Sequence, residues 1–257
     1  MRRQRRISRT SAVVAALALL LAGAGPQAVT AGAVPQYTSR FALDDCTWSN
    51  TGRNQYFSIR PGDWLVLEGQ DDGELVRVQI TVLNQTKRIT FTDVEGASLT
   101  VYARVVEERE WRNGELVEVS RNYFARCIQT GDIHYFGEDV DIYEDGVIVS
   151  HDGAWLAGTN TGQGAAQPGL IMPGTFLLGS RYFQEVAPGV ALDRAEHVKM
   201  GLTVKTPAGT FDECVEVKET TPLDPGSVST KTYCAELGLV IDNAVKLVRF
   251  HIAGFDK

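Results

Sequence analysis

Residues 76–82 read Val-Arg-Val-Gln-Ile-Thr-Val, with an aliphatic side chain at every second position. The same alternation recurs over residues 98–105 (Ser-Leu-Thr-Val-Tyr-Ala-Arg-Val) and 215–218 (Val-Glu-Val-Lys). Because successive side chains of a strand point to opposite faces, a period of two predicts strands with one buried and one solvated face. Beyond the N-terminal leader, the only helix we expect is a short one near residues 190–197. The sequence therefore predicts an all-β fold.

Turn signals and a weak internal repeat organise these strands. Asn113-Gly114 lies between two alternating runs and predicts a two-residue hairpin, since both positions tolerate positive φ. Two similar β-meanders are predicted, at about 62–133 and about 198–250, although chance similarity between β-rich segments explains the repeat equally well. The middle segment, 134–197, joins them. The predicted architecture is a large twisted antiparallel sheet, or half-barrel, with this long inserted segment lining its groove.

The N-terminus has the features of a secretory signal. Arginines precede an apolar stretch from Ala12 to Ala22, and small residues follow it. We predict a signal peptide at 1–33 and one secreted or periplasmic domain at 34–257, with no stable membrane insertion after cleavage. An uncleaved anchor is the alternative. Cleavage removes five arginines and no acid, so the formal charge becomes −7 − 5 = −12. Such acidity argues against a nucleic-acid partner.

Four cysteines follow the leader, and an even count in an exported chain favours disulfides. If a hairpin is centred on Asp224, positions that pair across it sum to 448. Cys214 then lies opposite Cys234, close enough for a cross-strand bridge. Cys46 and Cys127 pair by elimination, which would pin the N-terminal segment to the domain. Free buried thiols are the alternative.

No complete catalytic signature is present. The chain has no Gly-x-Ser-x-Gly elbow, no His-Glu-x-x-His and no phosphate-binding glycine loop. The middle segment, however, combines carboxylates with aromatic residues, as sugar sites do. The candidate catalytic acids are Glu138, Asp139, Glu185 and Asp193, and the candidate ligand-binding residues are Tyr135, Tyr143, Trp155, Arg181 and Gln184. The plainer interpretation places the aromatic residues in the core and the acids on the surface.

Calcium is the only cofactor that the pattern suggests. Asp139 and Asp141 are two residues apart in an acidic stretch and could supply two of the six to eight oxygens that calcium requires. The spacing does not match an EF-hand. A solvated acidic hairpin, with Asp145-Gly146 as its turn, is the favoured alternative.

The middle segment resembles an uncharacterised family of exported bacterial β-rich proteins. The shared stretches are Tyr135-Phe136-Gly137-Glu138-Asp139, Gly153-Ala154-Trp155, Pro168-Gly169-Leu170-Ile171-Met172-Pro173, Gln184-Glu185, Pro188-Gly189, Asp193 and Lys218-Glu219-Thr220-Thr221-Pro222-Leu223. The resemblance implies no particular activity. It implies that the middle segment is the distinctive part and that the meanders are scaffold. Phe183, Val186 and Leu192 depart from the family pattern, which has an arginine, an aromatic residue and an acid there.

Two functional hypotheses follow. The first is a non-catalytic binding or accessory protein of the bacterial envelope that holds a small apolar ligand, which predicts an apolar, poorly charged concave face. The alternative is a secreted polysaccharide-active enzyme, a glycoside hydrolase or lyase, which predicts two carboxyls about 5–10 Å apart in an aromatic-lined cleft.

Overall fold

The computed structural model describes residues 36–255, so the predicted signal peptide lies outside the described part of the chain. These residues form an all-β fold, as predicted, and contain no helix that could cross a membrane. Fifteen strands are present: β1 (Trp48–Ser49), β2 (Trp64–Asp71), β3 (Glu74–Thr92), β4 (Ser98–Arg112), β5 (Glu115–Cys127), β6 (Ile133–Glu144), β7 (Val147–Ser150), β8 (Trp155–Leu156), β9 (Gly169–Met172), β10 (Arg181–Phe183), β11 (Arg194–Thr206), β12 (Gly209–Thr220), β13 (Val228–Cys234), β14 (Gly238–Asp242) and β15 (Val245–His251).

The predicted turns are confirmed and the predicted helix is wrong. Asn113 and Gly114 both have positive φ, 51° and 91°, between β4 and β5. Asp145 and Gly146 also both have positive φ, between β6 and β7. The helix expected near 190–197 is absent, because this stretch first forms a tight turn and then enters β11. Two neighbouring strands take up the backbone groups that a helix would have paired internally.

All the long strands belong to one antiparallel sheet that is not closed into a barrel. Its spatial order is β10-β11-β12-β13-β14-β15-β2-β3-β4-β5-β6-β7. The C-terminal strand β15 therefore pairs with β2 in the middle of the sheet. Leu67 and Leu247 face each other in this ladder and are both fully buried. The two chain-order halves of the sheet are thus joined by one antiparallel pairing.

The middle segment spans the gap between the two ends of this sheet. Strands β8 and β9 both pair with β6, near one end. At the other end β10 pairs with β11, and Gln167 forms an isolated bridge with Val186. A side chain at Gly169 would overlap the carbonyl oxygen of Gln184, so only glycine permits this close backbone approach. The middle segment therefore lies across the sheet, as the sequence predicted.

Two apolar clusters form the core. One is built from β2, β9, β10 and the C-terminal hairpins, and Leu67, Met172 and Val215 are among its fully buried side chains. The other is built from β3 to β6 and β8, and Ile89 and Phe136 lie at its centre.

Both predicted disulfides are confirmed. Cys214 pairs directly with Cys234 across the β12–β13 hairpin, in the register that a turn centred on Asp224 requires. Cys46 is bonded to Cys127, and Trp48 pairs with Cys127 in the adjoining β1–β5 ladder. The second bridge therefore anchors the N-terminal segment on β5.

We expect the two bridges to contribute unequally to stability. They close loops of 81 and 20 residues, and in the loop-entropy model these correspond to about 4.5 and about 3.3 kcal/mol. Urea unfolding should therefore show a larger loss for C46S/C127S than for C214S/C234S. Equal losses, or a larger loss for the hairpin pair, would contradict this assignment of roles.

Candidate functional site

The sheet curls around a cavity of about 370 Å³. Glu138 on β6 and Glu219 on β12 both line it, although these strands are eight places apart in the sheet. Eight strand spacings would separate them by about 38 Å in a flat sheet. The sheet must therefore be strongly curved, and the cavity lies on its concave side. Ile171, Gln184 and Glu185 of the middle segment complete the lining.

One part of the lining is apolar and the other is acidic. Leu65, Ile80, Val82, Val106 and Phe124 contribute hydrocarbon from β2 to β5. Seven acidic residues and a single basic residue also line the cavity, a far larger excess of acid than in the chain as a whole. The expectation of a poorly charged concave face is therefore wrong. The acids are Asp63, Glu108, Glu118, Glu138, Glu185, Asp193 and Glu219, and the base is Lys231.

A β-bulge in β6 directs two of the predicted residues into the cavity. Asn122 pairs with Glu138 and Phe124 pairs with Tyr135, so β6 has one extra residue between these positions. The bulge contains Gly137, whose φ is +135°. As a result Tyr135 and Glu138 both line the cavity, although they are three residues apart. The Tyr135 hydroxyl donates a hydrogen bond to Asn122 Oδ1 and also interacts with Glu138.

Glu138 and Glu185 form a hydrogen-bonded carboxyl pair. Burial raises the pKa of Glu138 to about 7, and the charges of Glu118 and Asp193 add to this shift. Burial, followed by the charge of Glu138, raises the pKa of Glu185 well above its ordinary value. Trp155 Nε1 donates to Glu185 Oε1 over 3.2 Å. Two carboxyls so close together in a buried site cannot both ionise readily, so the pair retains a proton near neutral pH.

Glu108 on β4 and Glu118 on β5 are the carboxyls without a direct partner. Neither forms a hydrogen bond or ion pair with any residue in 36–255. Burial raises the pKa of Glu108 to about 7, although the charge of Lys231 opposes the shift. Burial and the charge of Glu110 also raise the pKa of Glu118. Glu108 and Glu118 are both half-buried and line the cavity, so a molecule in the cavity could meet their oxygens.

Lys231 on β13 contacts two carboxylates. Its Nζ lies 3.0 Å from Glu219 Oε2 and 3.8 Å from Asp242 Oδ2. Gln184 Nε2 donates to the other oxygen of Glu219 over 2.8 Å. Burial alone would lower the pKa of Lys231, but the charges of Glu219 and Asp242 outweigh it and raise the pKa well above its ordinary value. In this part of the cavity, the ammonium of Lys231 therefore offsets the charges of Glu219 and Asp242.

The sequence-predicted site residues divide into two groups. Tyr135, Glu138, Gln184, Glu185 and Asp193 line the cavity, with Asp193 at its exposed rim. Trp155 is buried behind them and contacts Glu185. The middle segment thus supplies one side of the cavity.

The remaining predicted residues lie elsewhere. Asp139 follows Glu138 directly and so points to the opposite face, where it accepts from the Tyr123 hydroxyl and lies 3.6 Å from Lys87 Nζ. Arg181 forms an ion pair with Glu196, outside the cavity lining. Tyr143 pairs with Ile148 near the far end of β6. These three residues do not join the cavity.

The suggested calcium ligands already contact arginine, lysine and histidine side chains. Asp141 Oδ2 lies 3.1 Å from Arg121 Nη1, and its other oxygen lies 3.1 Å from His151 Nδ1. Lys87 contacts Asp139. Nowhere in residues 36–255 do three or more His, Cys, Asp or Glu side chains form a group that could hold a metal ion. Asp145 and Gly146 form the turn of the β6–β7 hairpin, and calcium binding at Asp139 and Asp141 stays a prediction.

The meanders supply more of the polar lining than the sequence suggested. Glu108, Glu118, Ser120, Glu219 and Lys231 all belong to them. The assignment of the meanders to scaffold alone is therefore wrong. In the sequence, Glu108 and Glu118 are each two residues from a position that faces the cavity, Val106 and Ser120, which indicates that they share its face. Their convergence was not predictable, because it depends on the curvature of the whole sheet.

No protein-family model matches the sequence, and no curated protein is similar to it. A crystal structure described as "a putative lipoprotein" from Parabacteroides distasonis is similar in part, with 14% sequence identity and a TM-score of 0.33. The match covers 78% of this chain and 100% of that one. A TM-score this low carries no argument about function, so the site is interpreted from its own chemistry.

We expect the Gly137→Ala substitution to cost at least about 2 kcal/mol of unfolding free energy. A β-carbon there would overlap the carbonyl oxygen of Trp155 and lie 2.8 Å from Leu156 Cα, at a positive φ. Gly146→Ala is the matched control, since Gly146 also has positive φ but nothing within 4 Å of its β-carbon position. Equal losses in urea unfolding would show that β8 does not constrain the bulge.

The buried carboxyls should make the protein less stable as the pH rises. The pKa of Glu108 is about 7 in the folded protein against an ordinary 4.5, so folding takes up a proton. Its contribution is complete below about pH 4.5 and is lost as the pH rises through about 7. Glu108→Gln should remove a decline on the order of 1–3 kcal/mol between pH 5 and 8. An unchanged slope in the variant, or the same change in Glu115→Gln at the exposed start of β5, would contradict this.

Proposed function

We propose that this chain is an exported, non-catalytic binding protein that holds a small ligand in the concave cavity. The observation that carries the proposal is the cavity itself. Its volume of about 370 Å³ is within the range of small-molecule sites, roughly 300–1,000 Å³. Such sites combine an apolar lining with a few convergent polar groups. Here Leu65, Ile80 and Phe124 provide the first, and Glu108, Glu138 and Gln184 provide the second.

The two disulfides indicate an extracytoplasmic protein. Such bonds persist in oxidising compartments and are rare in the cytosol. Whether the compartment is the periplasm or the medium belongs to the proposal, as does cleavage after about residue 33. A binding protein of the envelope fits both compartments.

The lining indicates a ligand with a polar group as well as an apolar body. A purely apolar ligand would leave Glu108 and Glu118 in contact with hydrocarbon and without water, which is costly for a carboxyl. A ligand that carries hydrogen-bond donors could instead satisfy these oxygens. The proposal therefore replaces the simple apolar ligand with an amphipathic one.

The polysaccharide-active enzyme is the weaker alternative. Glu138 does have the raised pKa of a general acid. However, glycosidases separate their two carboxyls by about 5–10 Å so that the sugar lies between them. Glu138 and Glu185 instead share a hydrogen bond, and Asp139 points away from the cavity. Glu138 and Glu185 therefore do not form the separated pair that this mechanism requires, and binding is the function that the geometry supports best.

The experiment is native mass spectrometry of the oxidised protein, exported by a bacterial host. Ser120 is buried, small and part of the cavity lining, so Ser120→Phe should fill part of the space. We expect a small-molecule adduct on the wild type that S120F loses. Thr100→Phe on β4 is the matched control, because Thr100 is exposed and outside the cavity. Identical spectra for the wild type and S120F, with or without an adduct, would contradict the proposal.

A further inference from the structure

We propose that the cavity selects an organic cation, namely a primary amine carried on a short apolar body. This inference rests on the proposed function, because it names the ligand class of the same cavity. The inference adds the charge of the ligand, its chemical class and the part of the cavity lining that it contacts. That wall, the acidic wall, consists of Glu108 on β4, Glu118 on β5 and Glu138 on β6.

The protein already holds one alkylammonium group in this cavity. Lys231 presents a primary amine on a four-carbon chain, and two carboxylates, Glu219 and Asp242, contact it. Leu239 and Tyr233 line the same cavity as Lys231. The lining of this cavity therefore already accommodates a cationic nitrogen against paired acids.

Within residues 36–255, Glu108 and Glu118 of the acidic wall have no counter-ion in direct contact. Glu108 has no hydrogen bond or ion pair within residues 36–255, and its remaining accessible surface faces the cavity. Glu118 is also without a direct partner there. The charge of Lys231 lowers the pKa of Glu108, but its ammonium is in direct contact with Glu219 and Asp242 instead. Glu108 and Glu118 are both half-buried and line the cavity, so an entering ammonium could form the ion pairs that these carboxyls lack.

The shape of the lining favours an amine over a bare metal ion. Metal sites of hard cations are built from six or more oxygens converging on one point. The described residues 36–255 contain no group of three acidic, histidine or cysteine side chains placed in that way. Glu108 instead neighbours Ile80 across the β3–β4 ladder, and Val106 lies next to Val82. A cationic head on the carboxyls with a hydrocarbon tail on these aliphatic residues uses both halves of the lining.

Amine binding should be coupled to proton release. An ammonium stabilises the ionised carboxyls, so it lowers the raised pKa values of Glu108 and Glu138, both about 7 without ligand. The amine affinity should therefore rise between pH 5 and 8, while an alkylammonium stays charged throughout. The other ionisable groups that face this wall from the packed elements are Asp63, Glu110, Glu118, Tyr135, Glu185, Asp193, Glu219, Lys231, Tyr233 and Asp242.

The test is calorimetric titration of the oxidised protein at pH 8 with octylamine, octanol and octanoate, which share one chain and differ in charge. We expect octylamine to bind most tightly, octanol weakly and octanoate least. The E108Q/E118Q variant should bind octylamine at least about tenfold more weakly while keeping its affinity for octanol. Titration in two buffers of different ionisation enthalpy at pH 7 should reveal proton release.

The matched control is E115Q/E144Q, which removes the same charge from two exposed positions, at the start of β5 and at the end of β6. It should bind octylamine as the wild type does. Retained octylamine affinity in E108Q/E118Q, or equal loss in both double variants, would overturn the proposal. Tighter binding of octanol or octanoate would also overturn it and leave a cavity that binds ligands. No binding of any octyl compound, with no adduct in native spectra, would count against the proposed function itself. Displacement of octylamine by calcium at equal concentration would replace the amine with a metal site.

Discussion

The ladder between β2 and β15 is the constraint on which the rest of the structure depends. It joins strands that are distant in sequence and converts two meanders into one sheet. Leu67 and Leu247 are fully buried at this junction. Without the ladder, the carboxyls of β4 to β6 and the Glu219–Lys231 pair of β12 and β13 would belong to separate sheets. The curved sheet exists because backbone pairing continues across this position, and the cavity exists because the sheet is curved.

Within the cavity, charge is handled differently on the two sides. Around Lys231, an ammonium offsets Glu219 and Asp242, and Gln184 satisfies a further carboxylate oxygen. Around Glu138 and Glu185, protons take the place of a counter-ion, because burial and mutual repulsion favour the neutral acid. Both arrangements avoid an isolated buried charge. Only the protonation of Glu138 and Glu185 can change when the pH or the ligand in the cavity changes.

The sequence predicted those features that depend on neighbours along the chain. Alternation over residues 76–82 gave strands, Asn113-Gly114 gave a hairpin, and the turn centred on Asp224 gave the Cys214–Cys234 register. Tyr135, Glu138 and Glu185 were singled out because the middle segment is locally unusual. Asp139 was wrongly grouped with Glu138, since side chains of adjacent strand residues point to opposite faces. Glu108 and Lys231 could not be connected from sequence, because their proximity requires the β2–β15 ladder and the curvature of the intervening strands.

The central position of the β2–β15 ladder also determines when the protein can fold. Leu67 and Leu247, which face each other across it, are separated by 247 − 67 = 180 residues. Contacts of such high sequence separation form slowly, because the intervening chain must lose its freedom before they are gained. While the chain emerges from a ribosome or a translocation channel, β2 has a free edge that only the last strand can cover. The sheet is therefore completed only after β15 has been synthesised, so the pairing of β2 with β15 is a late step of folding.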